Sequence, residues 1–243
     1  MMIRRVIALG AALLIWQICA QMSNSVIVPA PWDCAQAGAL ELEDGILWSN
    51  AQASLMRIAV GYILAATLGV CLGALSGIWG SWGAGVTDIL EFLRPIPPIA
   101  WVPISILWFG LGNSSAWFVV FLGAFFPIYI QVAHAFSNCP TDYLDVAKSY
   151  RASPWQTFWW VRVPAAAPDI AQGLRVGLGI AWTSVIAAEL VGVQQGLGDR
   201  IQQLRYVADY ERMIVCMVVI GILGWMMVFM ANQLERHLIS WRQ

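Results

Sequence analysis

Ionisable and polar residues inside long apolar stretches are the first candidates for chemistry in this sequence. Glu189 lies in VIAAELVG and Arg94 lies in LRPIPPIA. A charged side chain inside a membrane segment is costly, so it faces the interior of a helix bundle or a water-filled cavity, where it serves a solute path. The pattern predicts a pathway or gate rather than a reaction centre. Its candidate residues are Glu189, Arg94, Thr183, Ser184 and Gln131.

Each of these residues also has a structural interpretation. Glu189 fits a hydrogen-bonded carboxylate near the end of its span, and a carboxylate would repel an anionic solute. Arg94 lies three residues after Glu91, the spacing of a helical ion pair, and its long side chain also suits snorkelling to a membrane interface. Serine and threonine in a span more often hydrogen-bond to their own helix or to a neighbour. The sequence leaves these alternatives open.

Motifs for catalysis and for nucleotide or metal binding are absent from the sequence. The phosphate-binding pattern GxxxxGK[ST], the zinc pattern HExxH and a set of paired carboxylates do not occur. The five cysteines are scattered and lack the close spacing of metal or redox pairs. We therefore expect no catalytic residue, no metal and no cofactor in this chain.

The elements that must position the candidate residues are membrane helices. Hydrophobic residues make up 60% of the 243 residues, charged residues 11%, and the mean hydropathy is +0.69. A soluble chain needs more charge to cover its surface, and a net charge of −1 does not suggest a nucleic acid partner. We expect an all-α integral membrane protein with about six spans. The predicted spans are Val6–Met22, Leu55–Ile78, Asp88–Gly110, Ala116–Phe136, Ile170–Val193 and Met213–Ala231.

Two of the predicted spans carry further signals. The third contains Pro95, Pro97, Pro98 and Pro103, which predict a kinked or interfacial first part. The second contains glycines at four- or eight-residue spacing, which predict a close contact with another helix. These glycines are Gly61, Gly69, Gly73 and Gly77. We divide the chain into residues 1–54, a helix with an external loop, and residues 55–243, a core domain with a loop at 137–169.

The distribution of lysine and arginine predicts the orientation of the spans. With the N-terminus in the cytoplasm, eight of these residues lie on or near the cytoplasmic side and four lie on the other side. Both termini and the 137–169 loop are then cytoplasmic. The eight are Arg4, Arg5, Lys148, Arg151, Arg162, Arg175, Arg236 and Arg242, and the four are Arg57, Arg200, Arg205 and Arg212.

The loop reads DVAKSYRASPWQTFWWVRVPAAAP over residues 145–168. Residues 142–150 are compatible with a helix, and Ser153 and Pro154 suit the N-cap and first turn of a second helix. Apolar residues recur at helical spacing up to Val163, and we expect the second helix to end before Pro164. Two short helices joined by a turn form a compact knob that suits a partner protein. An amphipathic loop at the membrane interface has the same composition and is the alternative.

The order of residues in this loop resembles the signature loop of ATP-binding cassette importer permeases. That signature is Glu-Ala-Ala, three residues, Gly, nine residues, Ile, one residue and Leu-Pro. Here residues 145–147 stand at its start, Arg151 at the glycine, Val161 at the isoleucine and residues 163–164 at its end. Other segments resemble the branch that transports taurine, alkanesulfonates, nitrate and bicarbonate. They are LRPIPPIAWVPISILWFGLG at 93–112, FLGAFFPI at 121–128, GLRVGLGIAWTSVIAAELVG at 173–192 and GLG at 196–198.

The resemblance implies a type I importer permease with a cytoplasmic coupling helix, in the inner or plasma membrane of a prokaryote. It implies two ATPase subunits that bind ATP and Mg²⁺, a second permease copy and a periplasmic or lipid-anchored solute-binding protein. The implied solute is a small anion such as a sulfonate, taurine, nitrate or bicarbonate. Arg151 replaces the signature glycine, so either the turn avoids positive φ or the ATPase offers room and an acidic contact. The implied ATPase-coupling residues are Asp145, Val146, Ala147, Lys148, Tyr150, Arg151, Ala152, Ser153 and Pro164.

A secondary transporter or channel that works alone is the alternative function. Such proteins usually contain an inverted repeat or a pair of broken helices in corresponding halves, and the sequence shows neither. An intramembrane enzyme would need a convergent catalytic set, which is also missing. We therefore expect a permease subunit that leaves ATP hydrolysis to a partner.

Overall fold

The protein is built from helices. The computed structural model describes residues 2–23 and 27–238, and no strand occurs within these ranges. The helices are α1 (Met2–Ser23), α2 (Pro31–Glu43), α3 (Ile46–Ile78), α4 (Ser81–Leu93), α5 (Val102–Phe109, after the 3₁₀ turn Pro98–Trp101), α6 (Asn113–Ser137), α7 (Thr141–Ser149), α8 (Pro154–Thr157, followed by the π-helical turn Phe158–Arg162), α9 (Val163–Gly192), α10 (Leu197–Tyr206) and α11 (Tyr210–Leu238).

Four helical segments within the described ranges are long and apolar enough to cross a membrane. A fifth crossing is made if α4 and residues 98–109 count as one span with a bend of 88°. The first of the six predicted spans falls in α1, which carries a shorter apolar stretch, Gly10–Met22. The four long segments are Ile46–Ile78, Asn113–Ser137, Pro154–Gly192 and Tyr210–His237.

The predicted third span, Asp88–Gly110, consists of two helices that meet at a break. Helix α4 ends at Leu93, and helical structure resumes at Pro98. Prolines at 95, 97 and 98 lack the backbone N–H that a helix needs, and they also disfavour the helical conformation of the residue before them. The structure confirms the predicted interruption, and it makes the interruption much sharper than a kink.

The centre of the bundle is formed by α6, which lies against α3 on one side and α9 on the other. The predicted glycine contact is confirmed. A Cβ atom at Gly73 would lie 2.7 Å from the carbonyl oxygen of Tyr129, and one at Gly77 would lie 2.5 Å from that of Ala133. A side chain at either position would therefore push α3 away from α6.

We call the two ends of the bundle the far end and the knob end. At the far end, α3 and α6 begin and α9 ends, and Arg57 contacts Asn113 and Glu189 there. At the knob end, α3 and α6 end and α9 begins, and Phe136 stacks on Phe158 with ring centroids 5.8 Å apart. Both ends carry polar residues that the sequence singled out.

The second helix of the loop does not end before Pro164, as the sequence predicted. Residues 154–192 form one continuous helical segment, and Pro164 and Pro168 lie inside it. A π-helical turn at Phe158–Arg162 ends two residues before Pro164, and the N–H of Val163 bonds to the carbonyl of Phe158. This wider turn makes room for the proline ring and for the carbonyl that would otherwise clash with it. Most of the predicted 137–169 loop is therefore helical, and only the short segments on either side of α7 are not.

Candidate functional site

A polar cluster, which we call the latch, joins α3 to α9 and α10 at the far end. One carboxylate oxygen of Glu189 accepts a hydrogen bond of 2.6 Å from Arg57 Nη1. The other accepts bonds of 2.9 Å from Ser54 Oγ and 3.0 Å from the backbone N–H of Gly198. The side chain of Glu189 is fully buried, and that of Arg57 is 5% exposed. Because both charges are buried away from water, removal of either one would leave the other buried without a counter-charge.

Arg57 extends the latch to two further elements. Its Nε donates a hydrogen bond of 2.8 Å to Asn113 Oδ1 at the start of α6. Its Nη1 also donates to the carbonyl oxygen of Gln195, in the loop before α10. One guanidinium therefore ties together α3, α6, α9 and the 193–196 loop.

The GLG sequence at 196–198 makes the latch geometrically possible. Gly196 has φ +132°, and a Cβ atom there would lie 2.4 Å from the carboxylate carbon of Glu189. A Cβ atom at Gly198 would lie 2.8 Å from Glu189 Cβ. Only glycine lets the start of α10 approach the carboxylate closely enough to donate a backbone N–H to it.

The sequence pointed to Glu189 but not to its partners. Arg57 lies 132 residues away from it and Ser54 lies 135 residues away, so no local pattern links them. One signal was available, because Arg57 falls just inside the predicted span Leu55–Ile78. A charge inside a span requires a partner, and Glu189 is the complementary charge in another span.

A second ionic cluster holds α2 and α11 against α10 near the far end. The buried carboxylate of Glu41 binds the guanidinium of Arg200, and Arg212 Nε lies 3.8 Å from the same oxygen. On α10, burial raises the pKa of the Asp199 carboxyl, which accepts a hydrogen bond of 2.7 Å from Gln203. The polar groups of the far end are thus largely paired within the chain.

The knob, residues 141–164, is fixed by a Schellman turn at the end of α7. The N–H of Arg151 bonds to the carbonyl of Lys148, and the N–H of Ala152 bonds to the carbonyl of Ala147. This is the bonding pattern of a Schellman motif, whose C′ residue takes the left-handed conformation and is usually glycine. Arg151 occupies that position with φ +51°. The turn therefore does use positive φ, at the place where the permease signature has glycine.

A capping box begins the next helix directly after this turn. Ser153 Oγ accepts a hydrogen bond from the N–H of Gln156, and Gln156 Oε1 accepts one of 2.8 Å from the N–H of Ser153. Pro154 occupies the first helical position. The predicted N-cap and first-turn residues are thereby confirmed. The turn that ends α7 leads directly into Ser153, the N-cap of α8.

The coupling candidates divide into exposed and buried residues. Asp145 and Lys148 are exposed and form an ion pair of 2.8 Å with each other. Ala147 is buried, so it packs inside the knob. The sequence had predicted it among the residues that contact the ATPase. Ala152 is half-buried. The remaining candidates are exposed: Val146, Tyr150, Arg151, Ser153 and Pro164.

The aromatic residues of the second helix are only partly buried. Phe158 is half-buried against Phe136, but Trp155 and Trp159 are exposed and contact each other edge to face at 5.6 Å. Gln156 is exposed and belongs to the capping box. The knob therefore shows aromatic surface outside the bundle.

The break between α4 and α5 contains Arg94. The predicted ion pair between Arg94 and Glu91 is wrong, because Glu91 lies 3.2 Å from His134 Nε2 instead. Within the described ranges Arg94 has no ion-pair partner. It lines a cavity of about 130 Å³ together with Trp101 and residues of α6 and α9.

The other pathway candidates lie outside the latch, and Ser184 lies next to two residues that line the cavity at the break, Gly123 and Ile180. Ser184 is buried between α9 and α6, where its hydroxyl donates to the carbonyl of Ile180 and would be 2.2 Å from a Cβ atom at Gly123. Thr183 is exposed and bonds the same carbonyl. Gln131 is half-buried against Gly173. Both hydroxyls bond within their own helix, as the structural alternative predicted.

The sequence matches a family model described as "Binding-protein-dependent transport system inner membrane component" over residues 53–241. It is 37% identical over 203 residues to a putative ABC transporter permease protein of Methanocaldococcus jannaschii, covering 83% of this chain and 76% of that protein. It is 29% identical over 240 residues to the taurine transport system permease protein TauC of Escherichia coli, covering 96% and 87%. It is 36% identical to the bicarbonate transport system permease protein CmpB of Synechococcus elongatus, covering 82% and 71%.

The fold is similar to that of a solved importer. A chain of the MetNI methionine ABC transporter superposes with a TM-score of 0.70 at 21% identity, covering 81% of this chain and 98% of that chain. At this identity the likeness shows the fold alone. The predicted type I permease fold is confirmed.

Proposed function

This chain belongs to the family of binding-protein-dependent transport system inner membrane components, and we propose that it passes the motion of a partner ATPase from the knob to the latch along a single helix. It is the permease subunit of an ATP-driven importer and crosses the membrane several times. It is not catalytic, because the ATPase of such importers is a separate subunit. An ATPase and a solute-binding protein are its partners.

The continuous helix from Pro154 to Gly192 is the observation that carries this proposal. It has 39 residues, which at 1.5 Å per residue is about 58 Å. Its first residues belong to the knob, and Glu189 near its end belongs to the latch. A rigid helix transmits a displacement from one end to the other, whereas a flexible loop would absorb it.

The knob has the properties of a docking element. Its turn is closed by backbone bonds and its second helix by a capping box, so it keeps its shape when force is applied. Val146 and Tyr150 present apolar surface next to the charges of Asp145, Lys148 and Arg151. We assign the exposed members of this set to the groove of the ATPase, and Ala147 and Ala152 to the support of the knob.

The latch serves as the gate of the far end in this proposal. Movement of α9 relative to α3 must lengthen the bonds of Glu189 to Arg57 and Ser54, so the buried pair opposes opening until the helix is driven. Because Arg57 already neutralises Glu189, the carboxylate does not confront an anionic solute directly. Thr183, Ser184 and Gln131 would line the same path.

We propose the orientation from the charge distribution and the copy number from Arg94. Because Lys and Arg are in excess at the knob end, we assign the knob and both termini to the cytoplasm and the latch to the outside, where the solute-binding protein would deliver its solute. A single copy leaves Arg94 exposed beside mid-span residues, and a second copy of the chain supplies the other wall of the path. Two ATPase subunits, which bind ATP and Mg²⁺, then serve two knobs.

The solute in this proposal is a small anion. Relatives are named for taurine, aliphatic sulfonates, nitrate and bicarbonate transport. The membrane break of this chain offers an arginine without an internal counter-charge, which suits a negatively charged solute. The membrane is the inner or plasma membrane of a prokaryotic cell.

A matched pair of tyrosines tests the docking role of the knob. Tyr150 at the knob is 84% exposed, and Tyr206 at the end of α10 is 79% exposed. Removal of a buried aromatic anchor costs a complex about 2 kcal/mol, roughly a 30-fold loss of affinity. We expect Tyr150→Ala to weaken co-purification with the ATPase and Tyr206→Ala to leave it unchanged. Equal recovery of the ATPase with both variants would remove the docking role.

Ala147→Arg does not provide a clean test of docking. Because Ala147 is buried within the knob, an arginine there would deform the knob itself and could not separate docking from folding. Gln156 is equally unsuitable as a control, since its replacement removes one half of the capping box. The tyrosine pair avoids both difficulties because both side chains are exposed, and among the described residues Tyr206 has only the guanidinium of its neighbour Arg205 over its ring, at 5.3 Å.

A further inference from the structure

We infer that the break between α4 and α5 holds a binding site for a small oxyanion, centred on the Arg94 guanidinium in a cavity that Trp101 also lines. The inference rests on the proposed function as an importer of a small anion. It adds the residues that would receive that anion inside the membrane.

The cavity at the break lies near the middle of the bundle. Its lining includes Leu122, Gly123, Phe126 and Pro127, all within three residues of the midpoint of α6, residue 125 of Asn113–Ser137. Ile180 of α9 closes another side. Arg94 therefore reaches mid-span residues, so it is not an arginine that snorkels to a membrane interface. At this depth lipid headgroups are out of reach.

The cavity contains a positive charge without a negative charge to match it. Arg94 has no ion-pair partner among the described residues, since its neighbour Glu91 lies against His134. None of the residues that line the cavity is a carboxylate.

A small oxyanion supplies the counter-charge that Arg94 lacks. The planar guanidinium binds two oxygens of one anion in a bidentate manner. A cavity of about 150 Å³ holds a molecule as large as benzene, so the 130 Å³ found here accommodates a nitrate, a bicarbonate or a sulfonate head group. Irregular backbone at membrane depth is found where it lines a cavity, which agrees with this position.

The exposure of Arg94 indicates which surface faces the solute path. Its side chain is exposed in the single chain although it lies beside mid-span residues. A charged side chain at that depth faces water or protein rather than lipid tails. The face that carries Arg94 and Ile96 is therefore the wall of the path.

Charged thiol reagents test the site whatever the natural solute is. The permease–ATPase complex is prepared in nanodiscs with its five native cysteines replaced and with Ile96→Cys, beside Arg94 in the cavity lining. The probes are 2-sulfonatoethyl methanethiosulfonate, which is itself a sulfonate, and its trimethylammonium counterpart. Val207→Cys, at an exposed position of the far end, gives the reference ratio of the two rates.

We expect the ratio of the two labelling rates, sulfonate reagent over trimethylammonium reagent, to be about tenfold higher at Ile96→Cys than at Val207→Cys. This is the factor expected for reversing the sign of a unit charge ~6 Å from the guanidinium in a water-like dielectric. The preference should disappear with Arg94→Gln and persist with Arg94→Lys. Ethanesulfonate and nitrate should slow the labelling. Arg205→Gln, on exposed α10, is the control and should change nothing.

Two outcomes would overturn the site. One is a reagent preference that survives Arg94→Gln, and the other is a lack of protection by either anion. Co-purification of the ATPase is measured on the same preparations. Its retention alongside a failed reagent preference rejects the oxyanion site and leaves the permease function intact. Failure of the unmodified chain to bind an ATPase rejects the proposed function, while the reagent ratio still decides whether the cavity attracts anions.

Discussion

Glu189 and Arg57 are opposite charges that are buried together at the far end of the bundle. Their hydrogen bonds to Ser54, Asn113 and Gly198 satisfy most of the remaining donors and acceptors. Such a pair adds little stability over apolar residues of the same size, but the loss of one member is costly because the other stays buried and unpaired. The latch thus specifies one arrangement of α3, α9 and α10 more than it stabilises the fold.

Neutralisation of one member of the latch tests this view. Glu189→Gln should lower the stability of the purified complex by about 3 kcal/mol, because Arg57 keeps its charge without a counter-charge. Arg57→Gln should cost a similar amount. The double variant Arg57→Gln/Glu189→Gln should be more stable than either single variant, since no buried charge remains. The measurement is the fraction of complex that survives heating, and simple addition of the two losses in the double variant would show that the charges are not coupled.

At the scale of elements, the knob turn carries a residue that its backbone does not favour. Arg151 adopts φ +51° in a position that commonly belongs to glycine. Ala208 does the same with φ +57° after α10, where the N–H of Asp209 bonds to the carbonyl of Leu204. This conformation costs a non-glycine residue roughly 1–2 kcal/mol.

Glycine at position 151 should therefore stabilise the knob. We expect Arg151→Gly to slow amide hydrogen exchange at residues 147–153, by a gain of about 1 kcal/mol at most after the entropic cost of glycine. Ala208→Gly should act in the same direction at the end of α10. Lys148→Gly, inside α7 where φ is negative, is the control and should speed exchange. Faster exchange in Arg151→Gly would mean that the arginine side chain supports the turn by contacts that outweigh its backbone strain.

Elements fixed by neighbours in sequence could be predicted, and those fixed by distant residues could not. The N-cap at Ser153, the proline break after Leu93 and the glycine face of α3 each follow from a few adjacent residues. The continuation of the helix through Pro164 could not be predicted, because it depends on a π-helical turn for which the sequence has no recognisable pattern. The latch was also missed, because its two charges lie on helices that meet only in the folded bundle.

At the scale of the whole molecule, the knob and the latch lie at opposite ends of one bundle. The segment 154–192 begins in the knob and reaches the latch, so the two ends cannot lie on the same side of the membrane. In the proposed function the ATPase and the solute-binding protein therefore dock on opposite faces of the membrane. The charge distribution predicts that the knob end is the cytoplasmic one.

Labelling of single cysteines decides between the two orientations. Glu43 and Val207 are exposed near the far end, and Thr141 is exposed at the start of the knob helix. The background lacks Cys19 and Cys71, which are exposed, and Val207 is preferred to Asp209 because Asp209 accepts a hydrogen bond from the N–H of Arg212. In intact cells we expect an impermeant thiol reagent to label Glu43→Cys and Val207→Cys but not Thr141→Cys. Thr141→Cys should become reactive once the cells are broken. Labelling of Thr141→Cys from outside would place the knob away from the cytoplasm, where no ATPase could reach it. The proposed coupling of an ATPase to the latch through the knob would then be wrong.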